Sequence, residues 1–271
     1  MTDDRLPADD PLPADELLET ARRAARRAGE IQGERFGDPG VIRSKHPREL
    51  VTEVDVACED AVREIIGAVY PDHDFLGEES GESGGGSAHR WIVDPLDGTT
   101  NFAQGLPIFA SSVAYAHQGE VRVAACVIPP WGEEHWAVLG GGAFCNGRPV
   151  RVSDTAALDR AFVATGFPYD VKERGDNGLE AFGRMVLATL AVRRPGAAVA
   201  DLCCLAAGRF DGFWEVGLKP WDTAAAGLIV TEAGGRITTY DGGPWEPSSP
   251  NILATNGHLH RAMMDVVAER R

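Results

Sequence analysis

The sequence predicts an α/β protein, a layered sandwich of helices and sheets, and three observations point to it. Two segments with apolar residues at helical spacing come first. A run of short strand patterns separated by tight turns then fills residues 75–152. Beyond that point helical and strand patterns alternate, as they do where helices cover a sheet. A chain of 271 residues can bury a large core, as one domain or two coupled halves. The change of pattern divides it into an N-terminal half over 14–145 and a C-terminal half over 146–271, joined around residues 140–155.

Residues 1–13 hold four Asp and three Pro and are expected to form a disordered tail. Leu17, Leu18, Ala21, Ala24, Ala25, Ala28 and Ile31 then follow the period of a helix, with Arg and Glu opposite. A second helix runs from about Asp55 to Val69, with Ala57, Ala61, Ile65 and Val69 on its apolar face, and Tyr70-Pro71 ends it. Phe75-Leu76-Gly77 leads to Glu78-Glu79, and residues 81–87, with four glycines, read as a flexible surface loop.

A strand over 90–93 carries the chain to Asp94, where Pro95 is expected to stop it. Asp97-Gly98-Thr99-Thr100 reads as the entry to a short helix. Segments 110–117 and 121–128, split by Gln118-Gly119-Glu120, form a hairpin pattern. Segments 136–139 and 143–152 add more sheet, with a tight turn at Asn146-Gly147. Helices are expected over 179–192, 197–207, 223–233 and 258–269, and strands over 211–215, 236–240 and 252–255, with Gly234-Gly235 as a helix stop.

Hydrophobic content of 44% and charged content of 25% are those of a soluble globular protein. A net charge of −15 argues against nucleic acid or an anionic membrane as partner. It would also repel a phosphate ester, so an acidic chain handling phosphate should hold metal. The five cysteines show neither CxxC pairing nor zinc-ligand spacing; Cys203 and Cys204 read as small core residues in a reducing, cytoplasmic setting. The first thirty residues have no apolar stretch of signal-peptide type, and no run of about eighteen apolar residues suggests a membrane span.

Five acids stand at expected boundaries between elements: Asp55, Glu78, Asp94, Asp97 and Asp222. Taken singly, each has a plain reading. Asp55 and Asp222 suit helix N-caps, Glu78-Glu79 suits a solvated loop, and Asp-Gly-Thr occurs in ordinary turns. Their conjunction is what points to chemistry. Two like charges ~4 Å apart repel by roughly 4 kcal/mol at an effective dielectric of ~20. Carboxylates that converge therefore require divalent cations or raised pKa values. Oxygen ligands select Mg²⁺-type ions, and a helix start beside them favours a bound anion. A phosphatase with a phosphorylated Asp two positions before Asp97 is excluded, because Pro95 stands there. The seven histidines lie outside these motifs, and His258 and His260 read as an exposed helix start.

Leu50-Val-Thr-Glu-Val-Asp55, Gly77-Glu-Glu-Ser80, Trp91 to Phe102 and Phe213 to Gly235 together resemble the inositol monophosphatase family of metal-dependent, lithium-sensitive phosphatases, over roughly residues 15–265. The resemblance implies a five-layered α-β-α-β-α sandwich, a homodimer, and two or three Mg²⁺ ions per site, with Mn²⁺ as a substitute. Glu78, Asp94 and the Leu96 carbonyl resemble the ligands of the first ion, and Asp94, Asp97 and Asp222 those of the second. Gly98 and Thr99 match the backbone N–H groups that hold phosphate. Thr99, oriented by Asp55, and Glu78 resemble the pair that activates water. Glu215 matches the acid that binds substrate hydroxyls, and Ala198 a backbone contact beside it; Asp97, Gly98, Thr99 and Asp222 also fall on the substrate side.

Three positions bear on the match. Glu49 stands where relatives usually carry Asp, and Ala197 where many bacterial relatives have Ser. Thr100 is the inositol-type residue at a position where relatives acting on 3′-phosphonucleotides or histidinol phosphate commonly have Lys. The expected activity is Mg²⁺-dependent hydrolysis of a small phosphomonoester, foremost myo-inositol 1-phosphate. Histidinol phosphate, fructose 1,6-bisphosphate and 3′-phosphonucleotides are the alternative substrates, and a non-catalytic regulatory binding protein is the alternative class.

Overall fold

The computed structural model describes residues 13–268, so residues 1–12 of the expected tail and residue 269 of the last expected helix lie outside it. The first part of the chain is α1 (Ala14–Arg35), β1 (Ile42–His46), β2 (Glu49–Thr52), α2 (Glu53–Val69), β3 (Asp74–Gly77), β4 (Gly81–Ser83), β5 (His89–Asp97) and α3 (Thr99–Ala103). Next come β6 (Ala110–His117), β7 (Glu120–Ile128), β8 (Glu133–Val138), β9 (Gly142–Cys145), β10 (Arg148–Pro149) and β11 (Phe162–Thr165). The rest is α4 (Leu179–Ala188), β12 (Ala191–Arg193), α5 (Ala198–Ala206), β13 (Gly212–Val216), α6 (Pro220–Glu232), β14 (Arg236–Thr238), β15 (Asn251–Thr255) and α7 (His260–Val267).

Strands β3 to β10 form an eight-stranded sheet in the order β10-β9-β8-β7-β6-β5-β3-β4, and β11 to β15 a five-stranded sheet in the order β12-β11-β13-β15-β14. Helices α1 and α2 pack on one face of the larger sheet. Helices α5 and α6 lie between the two sheets, and α4 and α7 cover the far face of the smaller one. The result is the expected five-layered α-β-α-β-α sandwich. Its middle layer explains the composition of α5 and α6: both are apolar almost all round, as a helix with sheet on both sides must be. Cys203 and Cys204 are buried in α5, as expected. No helix among the described residues is long and apolar enough to cross a membrane.

Several elements differ from expectation. Helix α2 buries Val54, Cys58, Val62 and Ile66; Ala57 and Val69, expected on its apolar face, are exposed. The glycine-rich loop begins as β4, which pairs with β3. The expected helix over 179–192 ends at Ala188, and its last residues form β12, parallel to β11. Strands β1, β2 and β11 had no clear local pattern. The expected strand over 236–240 closes at Thr238, and that over 143–152 is two short strands joined at Asn146-Gly147. Both turn residues have positive φ, at 48° and 77°, as a tight hairpin turn requires.

His260 is a further correction. It is buried rather than exposed, within 2.9 Å of both the Thr238 and the Thr255 hydroxyls. Burial lowers its pKa to about 4. As pH falls below ~6.5 the unfolded chain takes up this proton first, so the stabilisation is complete above that pH and lost towards pH 4. The unfolding free energy of the wild type relative to His260→Gln should drop by about 1–2 kcal/mol between pH 7 and pH 4, allowing for partial screening. Urea midpoints across that range measure it, and a pH-independent difference would refute the assignment.

Candidate active site

The site is built on an irregularity in β5. Residues three apart on a regular strand point to opposite faces. In β5, Asp94 stands opposite Ser112 and Asp97 opposite Ala110, so three residues on β5 span two on β6. This bulge turns both carboxylates to the same face, towards α5 and α6. It also lets Pro95 sit inside a strand expected to stop at Asp94. The Pro95 carbonyl, released from the ladder, accepts a 2.7 Å hydrogen bond from the Nε2 of buried Gln32 on α1.

The neighbouring elements deliver the other acids. Strand β3 runs parallel to β5 and ends at Gly77 opposite Val93, and the Glu78 N–H reaches the Val93 carbonyl at 3.2 Å, so Glu78 emerges beside Asp94. Buried Glu59 on α2 accepts the N–H groups of Glu79 and Ser80, both at 2.9 Å, and holds that turn. A Cβ at Gly77 would come within 2.4 Å of the Glu59 carboxylate, so no larger residue fits. Asp222 lies in the first turn of α6 and accepts the Lys219 N–H at 2.6 Å. Asp55 holds the same place in α2 and accepts both the N–H and the hydroxyl of Thr52. Both acids therefore serve their helix starts and still stand at the site.

Asp97 also caps α5 from outside. Its two oxygens accept the Ala198 and Val199 N–H groups at 3.1 and 2.9 Å. Ala197, which stands before the helix, needs no capping side chain of its own. Gly98 has φ +85°, and a Cβ there would meet the Ile108 carbonyl at 2.9 Å, so glycine is required. The Thr99 hydroxyl lies 2.8 Å from Asp55 Oδ1 and 3.0 Å from the Leu96 carbonyl, and its single proton serves one of them at a time.

Glu78, Asp94, Leu96, Asp97, Gly98, Thr99, Ala198, Glu215 and Asp222 all line one cavity of about 150 Å³. Asp55 stands behind Thr99. Burial raises the carboxyl of Glu78 to about 8, against the pull of Lys45, and those of Asp97 and Asp222 to about 7. Asp94 is raised well above the usual range, by burial first and then by the charges of Glu78, Asp97 and Asp222. Glu215 is raised likewise by burial and by Asp222; Gly166 makes room for it, since a Cβ there would approach its oxygens to 2.3 Å.

Other polar residues of the site were not singled out from the sequence. Lys45 on β1 reaches Glu78 at 3.1 Å and Glu79 at 2.5 Å. Asp201, on α5, is buried at the cavity with its carboxyl raised by burial and by Asp97. An Asp in an otherwise apolar helix was a signal that could have found it. Glu49, noted above only for standing where relatives carry Asp, lines the cavity too, with Arg194 and Tyr169. All the donors converging from β5, β3 and α6 are oxygens. Such a set suits a hard divalent cation, which would offset the mutual repulsion of these buried carboxylates.

Known proteins resemble this chain over nearly its whole length. The sequence profile of the inositol monophosphatase family matches residues 14–271. The chain is 40% identical over 259 residues to "Phosphatase IMPL1, chloroplastic" of Arabidopsis thaliana, covering 93% of this chain and 70% of that one. It is also 40% identical over 259 residues to "Nus factor SuhB" of Pseudomonas aeruginosa, covering 93% and 95%. The solved inositol monophosphatase from Anabaena (Nostoc) superposes with a TM-score of 0.87 at 37% identity, over 94% of this chain and 96% of that one. The chain thus belongs to the inositol monophosphatase family and is a phosphoric monoester hydrolase.

Proposed function

We propose that the chain hydrolyses myo-inositol 1-phosphate, or a closely similar polyol phosphate, in a Mg²⁺-dependent reaction. The observation that carries this reading is the meeting of Glu78, Asp94, Asp97 and Asp222 on one small cavity beside Gly98 and Thr99. Glu78, Asp94, Asp97, Asp222 and the Leu96 carbonyl would hold two or three Mg²⁺ ions, with Mn²⁺ able to substitute. Bound there, paired divalent ions would neutralise the phosphoryl oxygens and stabilise the leaving oxygen.

The chain's own groups do the rest. The Gly98 and Thr99 N–H groups take phosphate oxygens. With its proton given to Asp55, the Thr99 hydroxyl has a lone pair to orient a water, and Glu78 accepts that water's proton. The water oxygen attacks phosphorus as the ester P–O bond breaks in line, and the alkoxide leaves as the alcohol after taking a proton from solvent. Glu215 and the Ala198 backbone receive the substrate's hydroxyls. The reading extends to lithium sensitivity, to a homodimer, and to a cytoplasmic setting, which five free cysteines suit.

Phosphate release from a panel of esters at saturating Mg²⁺ tests it, and inositol 1-phosphate should give the highest kcat/KM. A second substrate has an observation in its favour. A larger cleft of about 820 Å³ adjoins Gly98 and carries Arg48, Lys172 and Arg194, which would suit the second phosphate of fructose 1,6-bisphosphate. A bisphosphate rate tenfold above that of inositol 1-phosphate would replace the first choice; histidinol phosphate and 3′-phosphonucleotides complete the panel. The relatives named Nus factors raise a non-catalytic role as well. A cellular phenotype that survives loss of turnover would favour it.

A further inference from the structure

On the other side of β6 from β5, strands β7, β8 and β9 bring a different set of side chains together. His135 stands opposite Cys126 on one side and opposite Cys145 on the other, so all three share the sheet face towards α5. Glu133, two residues before His135, falls on the same face. One carboxylate oxygen of Glu133, one ring nitrogen of His135 and the Cys145 sulfur all lie within 4.8 Å of one another. None of these residues lines the cavity at Asp94.

We propose that Glu133, His135 and Cys145 form a separate site for a thiophilic divalent ion of the Zn²⁺ class. Imidazole, carboxylate and thiolate together are a zinc donor set, whereas the cavity at Asp94 offers oxygen alone. Glu133 Oε2 lies 3.0 Å from His135 Nε2. Bonds of ~2.0–2.1 Å in a tetrahedral ion place two such donors about 3.3 Å apart, so a small outward shift admits the metal. His135 is fully buried, and its Nδ1 has no hydrogen-bond partner. An ion bound there would take Nε2, the nitrogen that now faces Glu133, and leave Nδ1 as it is.

Arg209 anchors the carboxylate, with its two terminal nitrogens 2.5 and 2.9 Å from the Glu133 oxygens. Such an outer partner fixes the orientation of a ligand. Glu133 and Cys145 are only partly buried, which gives an ion a way in. On binding, the Cys145 thiol proton passes to solvent, so the two anionic donors outweigh the single guanidinium.

The test is a Co²⁺ titration of the full chain, kept reduced by a phosphine and with excess Mg²⁺ to occupy the oxygen site. A near-ultraviolet sulfur-to-cobalt absorption band should appear and saturate at one ion per chain. Oxygen donors give no such band, so it should persist in Asp94→Asn. It should vanish in Cys145→Ser, and Zn²⁺ competition against a chelator should show at least about a tenfold weakening in that variant and in Glu133→Gln. Circular dichroism and unchanged phosphatase activity confirm that both variants are folded. No band at saturating Co²⁺, or a band that survives Cys145→Ser, would overturn the assignment; the latter would move it to Cys126, Cys203 or Cys204.

Discussion

Exchanging Asp94 for asparagine should lower kcat/KM by at least about a thousandfold while raising the melting temperature of the metal-free protein by a few degrees. The two effects have one cause. Asp94 is 1% exposed, and among the described residues its carboxylate accepts one hydrogen bond, from the Leu96 N–H at 3.0 Å, which the asparagine oxygen can still accept. What the exchange removes is a carboxyl whose charged form burial, Glu78, Asp97 and Asp222 all oppose. In the absence of cations that charge is a liability, and relieving it is worth on the order of 1–2 kcal/mol. For a chain of this size that is a rise of about 2–6 °C. With cations, the same charge is the donor shared between both proposed metal positions, and a thousandfold loss corresponds to about 4 kcal/mol of transition-state stabilisation. Phosphate release and thermal melting in chelator measure the pair. A stable variant retaining a tenth of the activity would remove Asp94 from the chemistry, and a lowered melting temperature would refute the electrostatic account.

The pattern of expectation and outcome follows from how local each signal is. Helix α1 was legible because its apolar spacing needs no partner to be read: Leu17, Ala21, Ala24, Ala25 and Ala28 are all buried. Helix α2 shows where spacing misleads. Both of its candidate faces carry apolar residues, and the side chosen by the core is that of Val54, Cys58, Val62 and Ile66, which packs with α1. Strand β12 continues an apolar run from α4, and only its parallel pairing with β11 makes it a strand. Pairing of that kind is written in distant residues. Pro95 was read by a rule that holds for regular strands, and the bulge suspended it.

The candidate site was more legible than its scaffold, because its residues carry signals at two levels. Asp55 and Asp222 fit their helix starts and also stand at the acidic site, so the plain reading and the functional one were compatible rather than rival. Lys45 was hidden for the opposite reason. Nothing near it in the chain announces Glu78 and Glu79, which lie more than thirty residues away.

Removing divalent ions should abolish both turnover and the binding of phosphate itself. Seven acidic residues line the cavity against two cations, Arg194 and Lys219, with Lys45 beyond them on Glu78. An incoming phosphate dianion would feel each ionised carboxylate at ~5 Å with about 3 kcal/mol of repulsion per unit charge at an effective dielectric of ~20. The few N–H groups at Gly98 and Thr99 cannot offset several such terms, since hydrogen bonds to charged groups contribute roughly 1.5–3 kcal/mol each. Chelated protein should therefore show no measurable inorganic phosphate binding by calorimetry and at least a thousandfold lower hydrolysis, both restored by Mg²⁺. Because the ions bind the folded chain, Mg²⁺ at a hundred times its dissociation constant should also add about 2.7 kcal/mol of stability. Phosphate bound tightly in chelator, with hydrolysis undiminished, would mean that the acids are not the field the substrate meets, and that the metal-dependent reading is wrong. Loss of turnover with phosphate binding intact would restrict the metal to the chemical step and leave substrate capture to Arg48, Lys172 and Arg194 in the adjoining cleft.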